Sequence, residues 1–125
     1  MAEAKNIFGR FFKEMRLKTG LSLRKFCLTH GLDAGNISKL ERGIAAPPQS
    51  RDILEKYAGH LGIIENSDDW YSFFDYAAAS AGRIPPDVMS DSELVKNLPL
   101  VFRTLRSPKL TSDELRKLAE AMRRT

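Results

Sequence analysis

One cysteine and two histidines in 125 residues leave this chain poor in the side chains that most often carry covalent, redox or metal chemistry. A single cysteine excludes an internal disulfide and fits a reducing cytoplasm. Cys27 has His30 three residues further on. No third orienting group or oxyanion element accompanies them, so Cys27 reads as a small core residue and not as a nucleophile. Asp68, Asp69 and Asp75 have no histidine or other ligand at a useful spacing, so no metal site is expected and helix-start acids are the better account. No apolar run reaches membrane-spanning length, and the first residues lack the apolar stretch of a secretion signal. Strand-like alternation and internal repeats are also missing. No acid, base, nucleophile and metal set converges, so neither an enzyme nor a cofactor is expected.

What the chain has is helical periodicity and an uneven charge. Its length suits one domain, or one small domain with an extension. Residues 1–60 carry eleven Lys/Arg against six Asp/Glu, residues 61–95 one against seven, and residues 96–125 eight against three. A basic first part suits attraction to phosphate, whereas the acidic middle should face away from it.

The most informative stretch runs from Ser22 to Gly43, SLRKFCLTHGLDAGNISKLERG. Ser22 is placed to cap a helix through its hydroxyl. Leu23, Phe26 and Cys27 then form one apolar face. Gly31 stands where that helix must stop in a left-handed conformation. Leu32 is expected under the turn, and Asp33 caps a second helix. Ile37 and Leu40 face inward, while Ala34, Gly35, Asn36 and Lys39 face out, and Gly43 closes the element. A short helix held from behind and exposed in front suits a major groove.

These residues resemble the helix-turn-helix of phage repressors, Cro proteins and xenobiotic-response-type bacterial regulators. The likeness rests on Ser22–Cys27, Gly31–Leu32 and Ile37–Gly43, and extends to about Ile63. It implies a five-helix repressor-like DNA-binding domain over residues 1–64. Residues 65–125 are then a helical extension for dimerisation or partner binding. It also implies that Arg16 pairs with Glu41 across the motif, since a buried arginine needs a carboxylate. Ala34, Gly35, Asn36 and Lys39 become base contacts, and Ser22, Arg24, Ser38, Arg42 and Arg51 phosphate contacts. Ala34-Gly35 departs from the long polar side chains of many relatives and removes two hydrogen-bonding readers. Relatives of this size act as dimeric repressors on palindromic double-stranded DNA, or as antitoxins that repress their own operon and bind a toxin. A module that uses a vestigial motif for protein interaction is the reading from another class.

Around the motif, a frayed lead over Met1–Asn6 gives way to a helix from about Ile7 to Lys18. Its apolar face is Ile7, Phe8, Phe11, Phe12 and Met15. Pro47-Pro48 marks a loop, and Ser50 is placed to cap a helix over Arg51–His60 with Ile53, Leu54, Tyr57 and Ala58 inward. A fifth helix carries Trp70, Phe73, Phe74, Ala77 and Ala78, and Ile84–Asp87 reads as a turn. Ser90 to Glu93 has capping-box spacing, and Pro99 should break or kink the helix that follows. Ser107-Pro108 reads as a loop. Thr111 to Glu114 repeats the box before a seam of Leu115, Leu118, Ala119 and Met122, with Arg123 and Arg124 at its end. The chain is expected to be all-α. Its C-terminal seams need either the core or a second copy, and dimerisation is preferred because one recognition helix offers few base contacts.

Overall fold

The structure, a computed structural model, describes residues 2–106 and 111–124 and, within them, every side chain outside 2–6, 118 and 121–124. The described residues form eight helices and no strand. They are α1 (Ala2–Lys18), α2 (Leu23–His30), α3 (Ala34–Glu41), α4 (Arg51–His60), α5 (Asp68–Ser80), α6 (Pro86–Met89), α7 (Ser92–Leu105) and α8 (Ser112–Arg124). Two compact units follow one another, Met1–Pro85 and Pro86–Thr125. Among the described residues no helix is long and apolar enough to cross a membrane. The expected loop at Ser107-Pro108, and the side chains of Leu118, Met122, Arg123 and Arg124, lie outside the described residues.

The first unit is organised by α1. Phe8 and Phe12 lie one helical turn apart and are wholly buried with Phe26 and Phe73. Phe8 meets Phe73 of α5 at 5.0 Å between ring centroids, and Phe12 meets Phe26 of α2 edge-on at 6.0 Å. Phe11, on the flank of α1, meets Tyr76 edge-on at 5.2 Å. Each such ring pair contributes about 0.5–1.5 kcal/mol beyond its buried area, enough to fasten α5 firmly. Trp70, Phe73, Ala77 and Ala78 of α5 are buried.

The first unit therefore runs to Pro85 and does not stop at residue 64, where the sequence suggested a division. The reason is that the side of α1 not occupied by α2 and α3 needs the aromatic stripe of α5 to cover it. Two further expectations shift. The helix begins at Ala2 and not near Ile7, in keeping with the strong helix formers Ala, Glu and Lys in that stretch. Ile7 and Ile53, expected to face inward, are 40% and 41% exposed at the rim of the core.

At Gly9 α1 comes into close contact with α3. A Cβ built there would overlap the Leu40 carbonyl oxygen and lie 2.7 Å from that of Glu41. Glycine lets α1 cross directly over the end of α3. The tips of α2 and α4 meet at a second point, where the His30 and His60 rings stack at 4.2 Å and 27°. Phe26 sits edge-on to His30 at 4.7 Å. Burial holds the His60 imidazole below its ordinary pKa, with His30 and then Lys56 adding to the shift.

The second unit differs from the sequence expectation in detail. Pro86–Met89 is a helical turn, with proline where a helix best accepts it. Asp91 caps α7, accepting from the amides of Glu93 and Leu94, while the Ser90 hydroxyl donates to the Asp87 carbonyl. α7 continues through Pro99 without the expected break. Only a continuous helix keeps Leu94, Leu98, Val101 and Leu105 on one side. Thr111 accepts from the Glu114 amide at the start of α8, as the spacing suggested. Neither α6 nor α7 holds a buried residue.

Two outcomes follow from these crossings. Gly9→Ala should force α1 off α3 and destabilise the chain by about 1–3 kcal/mol, the usual range for overpacking. A urea midpoint equal to the parent's would show that the crossing gives way freely. His60 also sets a pH dependence. Its folded-state pKa is lowered, so as pH falls through about 6.5 the unfolded chain takes up the proton first, and stability declines. His60→Gln should flatten the loss of stability between pH 7.5 and pH 5, measured as the difference in urea midpoints from the parent.

Candidate nucleic-acid interface

The region from Ser22 to Gly43 is held by caps at nearly every helix end. The Ser22 hydroxyl accepts from the Lys25 amide at 3.1 Å and starts α2. Gly31, at φ 67°, ends it, and the Gly31 and Leu32 amides both bond the Cys27 carbonyl. Two residues later Asp33 accepts from the Asn36 amide at 3.1 Å and starts α3. Gly43, at φ 75°, closes α3, with the Ile44 amide returning to the Lys39 carbonyl at 2.9 Å. An eight-residue helix is marginal alone, so these caps and the packing behind it keep α3 formed. Ser50 departs from the pattern. Its backbone starts α4, but its hydroxyl makes no capping bond.

Behind α3 lies the expected pair. Arg16 and Glu41 are 5% and 8% exposed. Arg16 Nε and Nη2 donate to the two carboxylate oxygens of Glu41 at 2.7 and 3.0 Å. Its Nη1 donates to the Leu21 carbonyl at 3.0 Å. The bond to Glu41 raises the guanidinium pKa further above its already high ordinary value, against the opposing effect of burial. Such two-pronged geometry fixes direction as well as distance. It joins α1, the lead into α2 and the end of α3 at one point.

In front of α3 the picture is open. Ala34, Gly35, Asn36 and Lys39 are exposed, and Ser38 is half-buried beside them. Gly35 has a local use that the sequence did not suggest. A Cβ there would lie 3.1 Å from the Asp33 carboxylate oxygen that caps the helix. Asn36 borders an apolar groove formed with Leu40, Ala45, Ala46, Pro48, Ile53 and Tyr57.

The five residues assigned to phosphate are not equivalent. Ser22, Arg24 and Arg42 are exposed around the motif. Arg42 Nε donates to the Ser38 carbonyl at 3.3 Å, which steadies the side chain along α3. Arg51 is already engaged. It bonds Glu55 at 2.9 Å and lies over the Phe74 ring at 4.5 Å. Of the five it is the one whose guanidinium already has a carboxylate and a ring as partners. Sequence reasoning also passed over Gln49, whose amide donates to the Pro47 and Ala77 carbonyls and ties the loop after α3 to α5. A polar residue directly after two prolines was the available signal.

Cys27 is buried, and burial raises its thiol pKa, which suits packing rather than nucleophilic chemistry. Among the described residues no group of three or more His, Cys, Asp or Glu is placed to hold a metal. Comparison with known proteins returned no protein family, no curated protein and no solved structure that matches the chain.

Arg16→Ala should strand the Glu41 carboxylate in the core and cost roughly 3–5 kcal/mol. Chemical denaturation would register this as a large fall in midpoint, and an unchanged midpoint would mean that Glu41 gains water or another donor at little cost.

Proposed function

We propose that this chain is a sequence-specific DNA-binding transcription regulator, a repressor acting as a dimer on a palindromic operator. In this reading α2, its turn and α3 are a helix-turn-helix of the repressor type, and α3 is the recognition helix. The observation that carries the reading is the contrast between the two sides of α3. One side is locked by Ile37, Leu40 and the Arg16–Glu41 pair. The other presents Ala34, Gly35, Asn36 and Lys39 to solvent, with Lys39 the one charged side chain among them.

Asn36 and Lys39 are one helical turn apart and reach the groove from the same side. An asparagine can take two hydrogen bonds with adenine, and a lysine can donate to guanine. Ala34 offers an apolar contact for a thymine methyl, and Gly35 lets the helix start come close to the base edges. Ser22 and Arg24 at the start of α2, with Ser38 and Arg42 along α3, supply backbone contacts that set position without reading sequence. The acidic start of α5, with Asp68 and Asp69 exposed, belongs away from the phosphates. A role on DNA implies a cytoplasmic protein, and a two-fold operator implies two copies.

Selection of bound sequences from random DNA, followed by footprinting, tests this directly, and a palindromic site is the expected result. On that site Asn36→Ala or Lys39→Ala should cost about 1–3 kcal/mol and relax preference at one or two symmetric positions. Binding to random DNA should stay nearly unchanged. Arg42→Ala should instead weaken all sequences alike and lower the salt slope by about one. Equal losses on operator and random DNA for both alanine variants of α3 would remove it from base reading.

A further inference from the structure

The chain has two histidines, and they lie against each other. His30 is the last residue of α2, and His60 is the last of α4. Their rings are face to face, with centroids 4.2 Å apart and planes 27° from parallel. Both residues are half-buried. Near-parallel rings do not aim their nitrogens at one point, as ligands of a shared metal ion must. A charge on one ring is instead felt across the face of the other.

The surroundings offer such a charge no counterion. Phe26 of α2 sits edge-on to His30. Beyond burial, the groups that act on the His60 imidazole are His30 from α2 and Lys56 from α4. α2 carries no acid, and the acids of α4 are placed elsewhere, Asp52 in its first turn and Glu55 on Arg51. Among the described residues neither imidazole has a carboxylate or a hydrogen-bond partner.

Both rings stand at the carbonyl ends of helices, which favour a cation, so one proton on the pair is tolerated. Two are not, because like charges within about 4–6 Å disfavour each other. The rings must then part, and the end of α2 comes loose from α4. The next two residues are Gly31 and Leu32, whose amides bond the Cys27 carbonyl and lead the chain into α3. We propose that the His30–His60 stack is a proton-operated latch. It holds the tip of α2 against α4 while no more than one ring is protonated. It opens, loosening the turn into α3, when both are. The latch is distinct from the pH dependence that burial of His60 sets, since it needs both rings. It is a property of the fold and holds whether or not α3 reads DNA, so its test contains no DNA.

Ring-proton NMR of the full chain, from about pH 8 to about pH 4.5, follows both histidines across their ordinary range. In the parent the pair should take up its protons in two steps, the second at least about tenfold weaker than the first. His30→Gln and His60→Gln should each abolish the lower step and leave one ring that titrates once, at a higher pH than that step. Opening is read by hydrogen exchange at the Gly31 and Leu32 amides, corrected for the intrinsic pH dependence of exchange. Their protection should fall at least about tenfold in the parent as the second proton binds, and should hold in both variants. The parent curves decide the matter even if a variant fails to fold. Two histidines that titrate independently would overturn the proposal. So would a lower step that leaves both amides protected, or a loss of protection that His30→Gln and His60→Gln share in full.

Discussion

The geometry of the first unit hangs on one buried ion pair. Arg16 spends every guanidinium nitrogen on a fixed partner, two on Glu41 and one on the Leu21 carbonyl. Both side chains are almost wholly withdrawn from water, so each leaves the other without a partner if it moves away. That condition joins helix packing to the orientation of α3. If α3 slid or rotated by a fraction of a turn, Glu41 would leave the fork of Arg16, and two desolvated charges would stand apart. Leu40 and Ile37 could tolerate such a slip far better, because apolar contacts carry no direction. The pair thus contributes specificity of position more than net stability.

Gly9 supplies the complementary constraint. The ion pair prevents α3 from rotating, and the missing side chain at Gly9 brings α1 close enough for the pair to form. Both act at the end of α3, next to Leu40 and Glu41. The start of α3 is held differently, by the Asp33 cap and the Gly31 turn. A helix fixed at both ends by direction-sensitive contacts can present its middle to a ligand without depending on that ligand for order. Asn36 and Lys39 lie on this middle.

Much of this was legible in the sequence because caps and turns act locally. Ser22, Gly31, Asp33 and Gly43 each behave as their chemistry dictates, since a cap needs only its own next few residues. The Arg16–Glu41 pair is not local. It was accessible only through resemblance, because no periodicity links positions twenty-five residues apart. Gly9 was invisible for a similar reason. A glycine inside a helix gives no sign of which backbone will cross it. The compact unit extends past residue 64, where the resemblance ended, because α1 has a second apolar side that α5 covers. At Pro99 the local rule lost to a longer one. The apolar register of α7 extends across the proline, and an interruption would have separated its two halves.

The lone cysteine gives this architecture a built-in reporter. Cys27 is the last buried residue of α2, and its carbonyl takes both amides of the turn. The residue is 2% exposed and belongs to the core cluster that includes Phe26, Ile37 and Leu40. Cys27 nonetheless lines an open surface pocket with Arg24, Leu28, Gly31, Leu32 and Ala34, and burial of the thiol suppresses the thiolate that reacts. Modification of the unlabelled, unmutated chain therefore reports how readily this one site, beside the turn between α2 and α3, becomes reactive, through local or global opening. With no second thiol in the chain, the signal comes from this one place in the fold.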